Sequence, residues 1–447
     1  MFVPLLACLF VSSALAEPDL LAQGREALRV KDGPTAALAL QQCVTAQPDA
    51  VDCWWELGWA HWLQRDWPAV VQAWSQVKAL DPGHAEVRDY LSRAKDNLAM
   101  QQLAVAGAQA APSSFQSSAP ADASLRLRAV GDVMLGTDFP AGVLPPDDGA
   151  TMLVAVQDLL RDADLTFANL EGPVCDGGQT RKCDPTKPPG SCYAFRSPAR
   201  YGAYLEQAGV DVVSTANNHS GDFGDFCRDQ TQANMDALGI AHSGRPGDVA
   251  VLEHAGLDIA LIAFHASAAT HDVRDIPTAQ NLVRGLAAQH DLVVVSFHGG
   301  AEGAKALHVP HGSETYYSED RGDLRAFSHA VVDAGADLVL GHGPHVLRGM
   351  EVYQGRLIAY SLGNFATYGR FNLSGNLGIG AVLEVNLDRQ GRFQGGKLFA
   401  TRQEGEGVPV PDPTGAAIDL VRQLSAQDFP GTAVRVAQDG SLAGPEG

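Results

Sequence analysis

Five short polar segments, each placed directly after an apolar run, constrain the fold of this chain more than any other feature. They are Gly131-Asp132-Val133-Met134, Asn169-Leu170-Glu171-Gly172, Asn217-Asn218-His219-Ser220, His298-Gly299-Gly300-Ala301-Glu302 and Gly341-His342-Gly343-Pro344-His345. The apolar runs have the length of buried strands, and helical patterns lie between them. Ligands of open α/β sheets bind at the carboxyl ends of the strands, so we expect the five segments to meet at one edge.

The alternation of strand and helix patterns predicts a layered α/β domain over residues 125–410. Predicted strands cover residues 125–130, 165–168, 210–214, 259–264, 292–297 and 338–340. Predicted helices cover residues 150–162, 199–208, 223–238, 278–288 and 322–334. Beyond the fifth segment the pattern becomes typical of antiparallel strands, at residues 346–353, 356–361, 379–387 and 395–400. Two sheets faced by helices would hold both parts.

The side chains of the five segments are typical of a metal site. Asp, Glu, Asn and His together offer nitrogen and oxygen ligands, which suit manganese, iron or zinc. Taken singly, each segment could instead be a turn or a helix cap. Five such segments in order favour a metal site. In addition, Gly343-Pro344 fixes the backbone between His342 and His345, so both rings could face one centre.

Taken in order, the segments resemble the motifs of the calcineurin-like metallophosphoesterase superfamily. More closely, the sequence resembles the CapA-type capsule proteins, which are associated with poly-γ-glutamate synthesis or attachment at the bacterial cell envelope. The motifs that carry this resemblance are Gly131-Asp132-Val133-Met134-Leu135, Asn169-Leu170-Glu171-Gly172-Pro173, Ala216-Asn217-Asn218-His219, His342-Gly343-Pro344-His345-Val346 and Tyr360-Ser361-Leu362-Gly363-Asn364-Phe365. The resemblance covers residues 126–402 and implies a four-layer α/β/β/α sandwich.

The resemblance also implies roles for individual residues. One or two divalent ions (manganese, iron or zinc) would be held by Asp132, Glu171, Asn218, His298, His342 and His345. Glu171 would bridge the two ions, with Asp132 and His345 on the first. His219 would be catalytic, as a general acid or as a stabiliser of developing negative charge. Substrate-binding side chains would be Asn169, Asn217, Glu302 and Asn364.

Two positions depart from the superfamily pattern. Met134 stands where the superfamily has a histidine, and a thioether is a poor ligand for hard divalent ions. Glu171 stands where an aspartate is usual, which changes the bridging distance. Two functions therefore stay open. One is a metal-dependent, phosphoesterase-like hydrolase that acts on an envelope polymer or phosphoester. The other is a non-catalytic envelope assembly protein that recruits a synthase.

The N-terminus indicates export. Residues 2–11 are nearly all apolar and precede Ala14-Leu15-Ala16, a small-x-small cleavage pattern, so residues 1–16 are predicted to be a signal peptide. We therefore expect a protein that is periplasmic or associated with the cell envelope. Six cysteines follow, and an even number in an exported chain predicts disulfides. Cys43 and Cys53 are expected to pair, whereas the connectivity of the other four stays open, and a zinc site is the alternative.

Residues 17–103 differ from the rest in being rich in Ala, Leu, Gln and Trp. The segment Trp54-Trp55-Glu56-Leu57-Gly58-Trp59 resembles the tetratricopeptide signature, and Pro48 and Pro82 end successive helical patterns. About two repeats fit, either as a small helical hairpin on the main domain or as a partner-binding module. Residues 104–124 have the composition of a flexible Ala/Ser/Pro linker, and residues 411–447 that of a C-terminal tail with one helix.

The net charge of −20 argues against a nucleic-acid partner, because phosphate backbones attract basic surfaces. An anionic polymer or phosphoester could still bind where metal ions or a local basic patch reverse the field. No later apolar run approaches the roughly 20 residues that a membrane-spanning helix needs.

Overall fold

The computed structural model describes residues 19–110, 117–139, 143–180, 182–183 and 192–445. The predicted signal peptide, residues 1–16, lies outside the described residues. The chain divides into two compact units, Met1–Leu98 and Ala99–Gly447. In the part of the chain that the structure describes, no helix is both long enough and apolar enough to cross a membrane.

The first unit is helical. Its helices are α1 (Leu20–Arg29), α2 (Gly33–Ala46), α3 (Val51–Leu63), α4 (Trp67–Leu80) and the start of α5 (Val87–Gln109). The disulfide Cys43–Cys53 joins α2 to α3, as the sequence predicts. Because α5 continues to Gln109, the first residues of the predicted linker are helical rather than extended.

The helices of this unit repeat with the 34-residue spacing that separates Pro48 from Pro82. A Cβ atom on Gly24 would lie 2.3 Å from Leu40, and one on Gly58 would lie 2.0 Å from Trp74. Gly24 and Gly58 are 34 residues apart, and so are Leu40 and Trp74. Each glycine therefore lets the two helices of its pair approach closely, in two successive units of one repeat. Assignment of these pairs to the tetratricopeptide class stays a prediction.

The second unit is an α/β domain with two main sheets. Its strands are β1 (Ser124–Met134), β2 (Leu165–Leu170), β3 (Val212–Ser214), β4 (Ala241–Ser243), β5 (Val249–His254), β6 (Leu257–His265), β7 (His271–Asp272), β8 (Leu292–His298), β9 (Thr315–Tyr316), β10 (Glu319–Asp320), β11 (Leu338–His342), β12 (Met350–Tyr353), β13 (Arg356–Ala359), β14 (Asn364–Thr367), β15 (Ile379–Asp388), β16 (Phe393–Glu404), β17 (Val408–Pro411), β18 (Arg435–Val436) and β19 (Ser441–Ala443). Its helices are α6 (Gln157–Arg161), α7 (Gly202–Gln207), α8 (Gly224–Ala237), α9 (Ile276–Ala287), α10 (Leu324–Asp333) and α11 (Ala416–Asp428).

The ten-stranded sheet has the order β18-β19-β16-β15-β1-β2-β3-β4, with β14 beside β1 and β17 beside β16. The seven-stranded sheet has the order β12-β13-β11-β8-β6-β5, with β7 beside β6. Strands β1 to β4 pair in parallel, and so do β6, β8, β11 and β13. Both parallel sets therefore present their carboxyl ends at an edge of their sheet, where the polar segments begin.

The main core lies between the two sheets, and two further cores lie on their outer faces. The inner core includes Leu127, Phe167, Leu261, Val294, Leu340 and Leu383. One outer core packs α9 and α10 against the seven-stranded sheet through Ile262, Leu282, Val295 and Phe327. The other packs α6, α7 and α8 against the ten-stranded sheet through Val130, Leu160, Ala168, Leu205 and Met235. The predicted α/β/β/α layering is confirmed.

Two segments differ from the sequence-based expectation. The helix predicted at residues 150–162 begins only at Gln157, because Met152 and Val156 reach the core from turns instead. The C-terminal tail contains the predicted helix, which is α11, but it also supplies β18 and β19 to the large sheet. Leu442 of β19 is buried in the inner core, so this end of the chain is part of the domain.

Candidate metal centre

The predicted site residues lie where the carboxyl ends of the two sheets adjoin. In the ten-stranded sheet, β1 and β2 place Asp132 beside Asn169. In the seven-stranded sheet, β8 and β11 place His298 beside His342. The two edges touch, since His342 Nε2 lies 3.2 Å from the carbonyl oxygen of Val130. Segments that are far apart in the sequence thus meet at one buried centre.

Asp132, Glu171 and His345 form what we call the first cluster. One ligand atom from each lies within 4.8 Å of the others. His345 Nδ1 is 2.9 Å from Asp132 Oδ2, and His345 Nε2 is 3.6 Å from Glu171 Oε1. His345 has a positive φ of 59°, and the preceding Gly343 has a φ of 114° and would meet Gly299 with any Cβ atom. The tight turn around Pro344 therefore aims the ring into the cluster.

The first cluster needs positive charge. Burial raises the pKa of the Glu171 carboxyl well above its usual range, and Asp132 adds to this shift. Burial alone would lower the pKa of His345, but Glu171 and Asp132 outweigh it and raise that pKa to about 10. Protons thus reduce the negative charge of this buried cluster, and a divalent cation would offset both carboxylates in their place.

His298 and His342 are neighbours across β8 and β11, and together with Asn218, which the resemblance assigns to the same ion, we call them the second group. Burial lowers the pKa of both histidines, so both rings are neutral. His342 Nε2–H donates to Val130, which leaves the Nδ1 lone pair available as a ligand. Five buried atoms of the predicted ligands have no hydrogen-bond partner among the described residues: both Glu171 carboxylate oxygens, Asn218 Oδ1, His298 Nε2 and His342 Nδ1.

These unpartnered atoms fit a divalent cation. Leaving a buried polar atom without a partner costs about 1–3 kcal/mol, so several in one place call for a ligand. The atoms are carboxylate oxygen, amide oxygen and imidazole nitrogen, a donor set suited to manganese, iron or zinc. Together the first cluster and the second group could hold one or two such ions, with Glu171 between them.

Asn169 and Asn217, two of the predicted substrate-binding residues, make hydrogen bonds inside the protein. Asn169 donates through Nδ2 to Asp132 over 2.8 Å and lies 3.3 Å from His298 Nδ1. Asn217 donates to Asn169 over 3.3 Å, and its Oδ1 accepts from the His219 amide. Both amides are buried and engaged inside the protein. Both side chains therefore have partners beside the candidate ligands, and their assignment as substrate-binding residues stays a prediction.

The other two predicted substrate-binding residues flank the first cluster. Asn364 is buried, with Oδ1 3.1 Å from His345 Nδ1 and Nδ2 donating to the Leu377 carbonyl. Glu302 Oε2 lies 3.7 Å from His345 Nε2, and Glu302 Oε1 lies 2.9 Å from an Arg321 guanidinium nitrogen. Asn364 therefore supports the His345 ring, while Glu302 stands at the wall of the cluster.

His219 is held by residues that the sequence reading missed. Its Nδ1 lies 2.7 Å from Asp222 Oδ2 and 3.2 Å from Lys182 Nζ, and its ring stacks on Phe195 with centroids 4.1 Å apart. Burial lowers the pKa of His219 to about 4, although Asp222 opposes this. Asp222 could have been found from its position three residues after His219, whereas nothing in the sequence marked Lys182.

Two disulfides lie on the same side of the domain. Cys175 pairs with Cys227, and Cys183 pairs with Cys192, which resolves the connectivity that the sequence left open. Cys183 directly follows Lys182, the residue that contacts His219. With Cys43–Cys53, all six cysteines beyond residue 16 are disulfide-bonded. The predicted disulfides are thus present, and the zinc alternative for these cysteines is wrong.

Met134, the residue that replaces a histidine of the superfamily pattern, is buried next to the centre. Its sulfur accepts a hydrogen bond from the Gly136 amide over 3.3 Å. The sulfur therefore has a partner within its own loop. The first cluster must accordingly rely on Asp132, Glu171 and His345 for any ion.

Comparison with known proteins agrees with this architecture. The family described as "Bacterial capsule synthesis protein PGA_cap" matches residues 126–368, more than half of the chain. The "PGA biosynthesis protein CapA" of Bacillus subtilis is 25% identical over 244 residues, which cover 53% of this chain and 61% of the relative. The "Capsule biosynthesis protein CapA" of Bacillus anthracis is 28% identical over 266 residues, covering 54% and 59%.

A third relative carries a related description. The "Probable polyglutamine synthesis accessory protein" of Mycobacterium tuberculosis is 29% identical over 229 residues, 45% of this chain and 55% of the relative. The chain thus spans about three fifths or less of the length of the curated relatives it matches. Residues 126–368, which the family matches, contain all of the candidate metal ligands.

Proposed function

Because this chain belongs to the bacterial capsule synthesis protein family PGA_cap, we propose that it is an exported, metal-dependent hydrolase of cell-envelope biosynthesis. Its substrate would be an anionic envelope polymer, such as poly-γ-glutamate, or a phosphoester. The observation that carries the proposal is the set of buried, unpartnered nitrogen and oxygen atoms of Glu171, Asn218, His298 and His342. The three disulfides support export, because they are typical of oxidising compartments.

The residues that would hold the ions follow from the two groups described above. Asp132 and His345 would bind one ion, and Asn218, His298 and His342 the other, with Glu171 shared. When bound, such ions would offset the charge of a phosphoryl or carboxyl group and lower the pKa of a bound water molecule. They would also supply the positive charge that a chain of net charge −20 otherwise lacks at this place.

His219 would handle a proton at Nε2. The Asp222 carboxylate accepts from Nδ1–H, which fixes the ring orientation and the tautomer. Stacking on Phe195 restricts the ring further. Nε2 is then the nitrogen that can exchange a proton with the leaving group of a substrate at the metal centre.

The alternative is a non-catalytic assembly protein that binds an envelope polymer and recruits a synthase through the helical unit. The observation that favours it is Met134, whose sulfur is hydrogen-bonded to Gly136 and replaces a stronger ligand of the first cluster. Deleting residues 17–98 would test the recruiting role, since a unit that only recruits can be lost while metal binding stays.

Metal analysis and hydrolysis together test the proposal. Purified protein should hold one to two equivalents of manganese, iron or zinc and should hydrolyse a generic aryl phosphodiester. His219→Ala should keep the metal and lose most of the rate, about 10²–10⁴-fold for a proton-transfer group. Protein that takes up no metal under any loading condition would refute the hydrolase and leave the assembly role. Equal rates in wild type and His219→Ala would remove His219 from the chemistry.

A further inference from the structure

A row of aromatic rings extends from the metal centre towards the surface. The Phe371 ring lies 5.3 Å from the His345 ring and 5.2 Å from the Phe195 ring, measured between centroids. Phe195 in turn stacks on His219 and lies 6.5 Å from Tyr193. Tyr193 is 49% exposed, whereas Phe195 is buried. The row therefore leads from a candidate ligand and the catalytic histidine to solvent.

An arginine without a carboxylate partner stands at the outer end of this row. The guanidinium carbon of Arg370 lies 5.6 Å from the centroid of the Tyr193 ring. Among the described residues Arg370 forms no ion pair, and its buried Nε has no hydrogen-bond partner. A cation–π contact leaves all five guanidinium N–H groups free to donate. Arg370 is thus oriented by Tyr193 and available to an external acceptor.

The buried arginines of the domain behave differently from Arg370, which is half-buried. Arg348 forms a bidentate pair with Glu314, and Arg128 pairs with Glu384. Arg321 pairs with Glu302 beside the centre. In a chain with 52 acidic and 32 basic residues, an arginine without a carboxylate partner next to the candidate site is positioned to receive a negative group from outside.

We propose that Arg370, Tyr193 and Phe371 form a rim subsite that binds a second oxyanionic group of the substrate, a carboxylate or a phosphate. A planar guanidinium matches both groups through two parallel hydrogen bonds. The faces of Tyr193 and Phe371 contact the carbon-containing part of the substrate between this group and the one at the metal centre. The inference deepens the proposed function and rests on it for the position of the first group.

The ligand class that fits is a chain of anionic groups separated by carbon atoms. The metal centre takes one anionic group, the aromatic row covers the spacer, and Arg370 takes the next anionic group. A small monoanion would reach only one of the two sites. The rim subsite therefore selects a polymer over a small ester or a single amino acid.

Calorimetric titration of the metal-loaded full chain tests the rim subsite. One probe is a γ-linked glutamate pentamer, and the other is a glycerol phosphate pentamer. Arg370→Met should weaken binding of at least one probe about tenfold or more, as expected for the loss of a charge-assisted hydrogen bond. Arg370→Lys should recover part of the loss. The matched control is Arg392→Met, which removes the same charge from the exposed β15–β16 turn.

Each outcome decides a separate question. A loss with the glutamate pentamer assigns the subsite to carboxylates, and a loss with the glycerol phosphate pentamer assigns it to phosphates. Equal affinities of Arg370→Met and Arg392→Met, or no binding of either probe by wild type, would overturn the rim subsite. Metal content and aryl phosphodiester hydrolysis are measured on the same wild-type preparation. If the metal-loaded wild type lacks hydrolysis and Arg370→Met still weakens binding, the hydrolase fails and the subsite stands.

Discussion

The two halves of the candidate centre respond to burial in opposite ways. In the first cluster, the carboxylates of Asp132 and Glu171 raise the pKa of His345 to about 10, so a proton can balance charge without an ion. In the second group, burial lowers the pKa of His298 and His342, and both rings are neutral with an unpartnered nitrogen. A cation therefore competes with a proton in the first cluster, whereas in the second group it would bind ring nitrogens whose lone pairs have no partner.

The largest effect should come from Glu171, because both halves share it. Glu171→Gln removes the buried negative charge and should abolish binding of both ions. Hydrolysis of an aryl phosphodiester should fall on the order of 10³-fold, or about 4 kcal/mol in transition-state free energy. Metal content is measured by mass spectrometry after dialysis.

The same variant should have the opposite effect on the metal-depleted fold. Because burial raises the pKa of Glu171, its ionised form destabilises the folded state, and the amide should raise the melting temperature of chelator-treated protein. Glu253→Gln on the exposed face of β5 is the matched control. It should change neither the metal content nor the melting temperature of chelator-treated protein. Retention of full metal content by Glu171→Gln would contradict the shared-ligand assignment.

The second prediction separates the halves. His342→Ala removes a neutral ligand. It should abolish metal binding at the second group, because alanine offers no nitrogen to replace the imidazole. His345→Ala should also lower metal affinity, but in wild type an ion must first displace the proton of His345, so the net loss of affinity should be smaller at the same pH. Metal titration by calorimetry at constant pH measures both.

Exposed His311→Ala serves as the control for these two variants. The two halves also predict different numbers of released protons. Because the proton of His345 must leave when its nitrogen binds an ion, binding at the first cluster should release one proton more than binding at the second group. Equal affinity losses and equal proton release in His342→Ala and His345→Ala would show that a proton does not compete with the ion at His345.

A smaller effect is expected at Asp222, which contacts neither half. Asp222→Asn removes the negative charge that accepts from His219, from the Phe195 amide and from Lys182. The turnover number should fall about 10–100-fold, as for other residues that orient a functional group, with metal content unchanged. Nitrogen chemical shifts of the His219 ring should show a change of tautomer. Asp158→Asn on α6 is the control, and metal loss in Asp222→Asn would place Asp222 in ligand support instead.

The parts of the centre that sequence could predict are those at strand ends. Asp132, His298 and His342 follow apolar runs, so alternation of strands and helices already places them at one edge. The same reasoning predicts the two sheets and their helices, because the hydrophobic period reports burial directly. Family resemblance added roles to these residues, which geometry alone would not have distinguished.

The remaining parts depend on contacts between distant loops. Lys182 and Arg370 lie in irregular segments, where no period marks the side that faces the site. Whether an asparagine such as Asn217 faces substrate or supports a neighbour is decided by packing around it, not by its position after a strand. The pairing of Cys175, Cys183, Cys192 and Cys227 could not be predicted either, because the spacing of cysteines in a sequence does not determine which of them bond.

The contrast between charged and neutral histidines recurs outside the centre, where no ion is involved. Burial lowers the pKa of His242, but Asp248 and Asp236 outweigh it and raise that pKa above 6.5. Burial lowers the pKa of His271 below 6.5, although the hydrogen bond to the Ala263 carbonyl opposes this, and Nε2 accepts from the Gly247 amide. The two histidines should therefore affect stability with opposite dependence on pH.

The smallest predicted effect is this difference in the free energy of unfolding of metal-depleted protein. A raised pKa means that the contribution of His242 is full below pH 6.5 and is lost as pH rises through its folded value. A lowered pKa means that the contribution of His271 is full above pH 6.5 and is lost as pH falls. Urea unfolding should show His242→Gln losing up to about 1 kcal/mol more in acid than in alkali, and His271→Gln the reverse. Parallel pH profiles for the two variants would mean that local charge does not set these pKa values, and would weaken the same reasoning for His345 and His342.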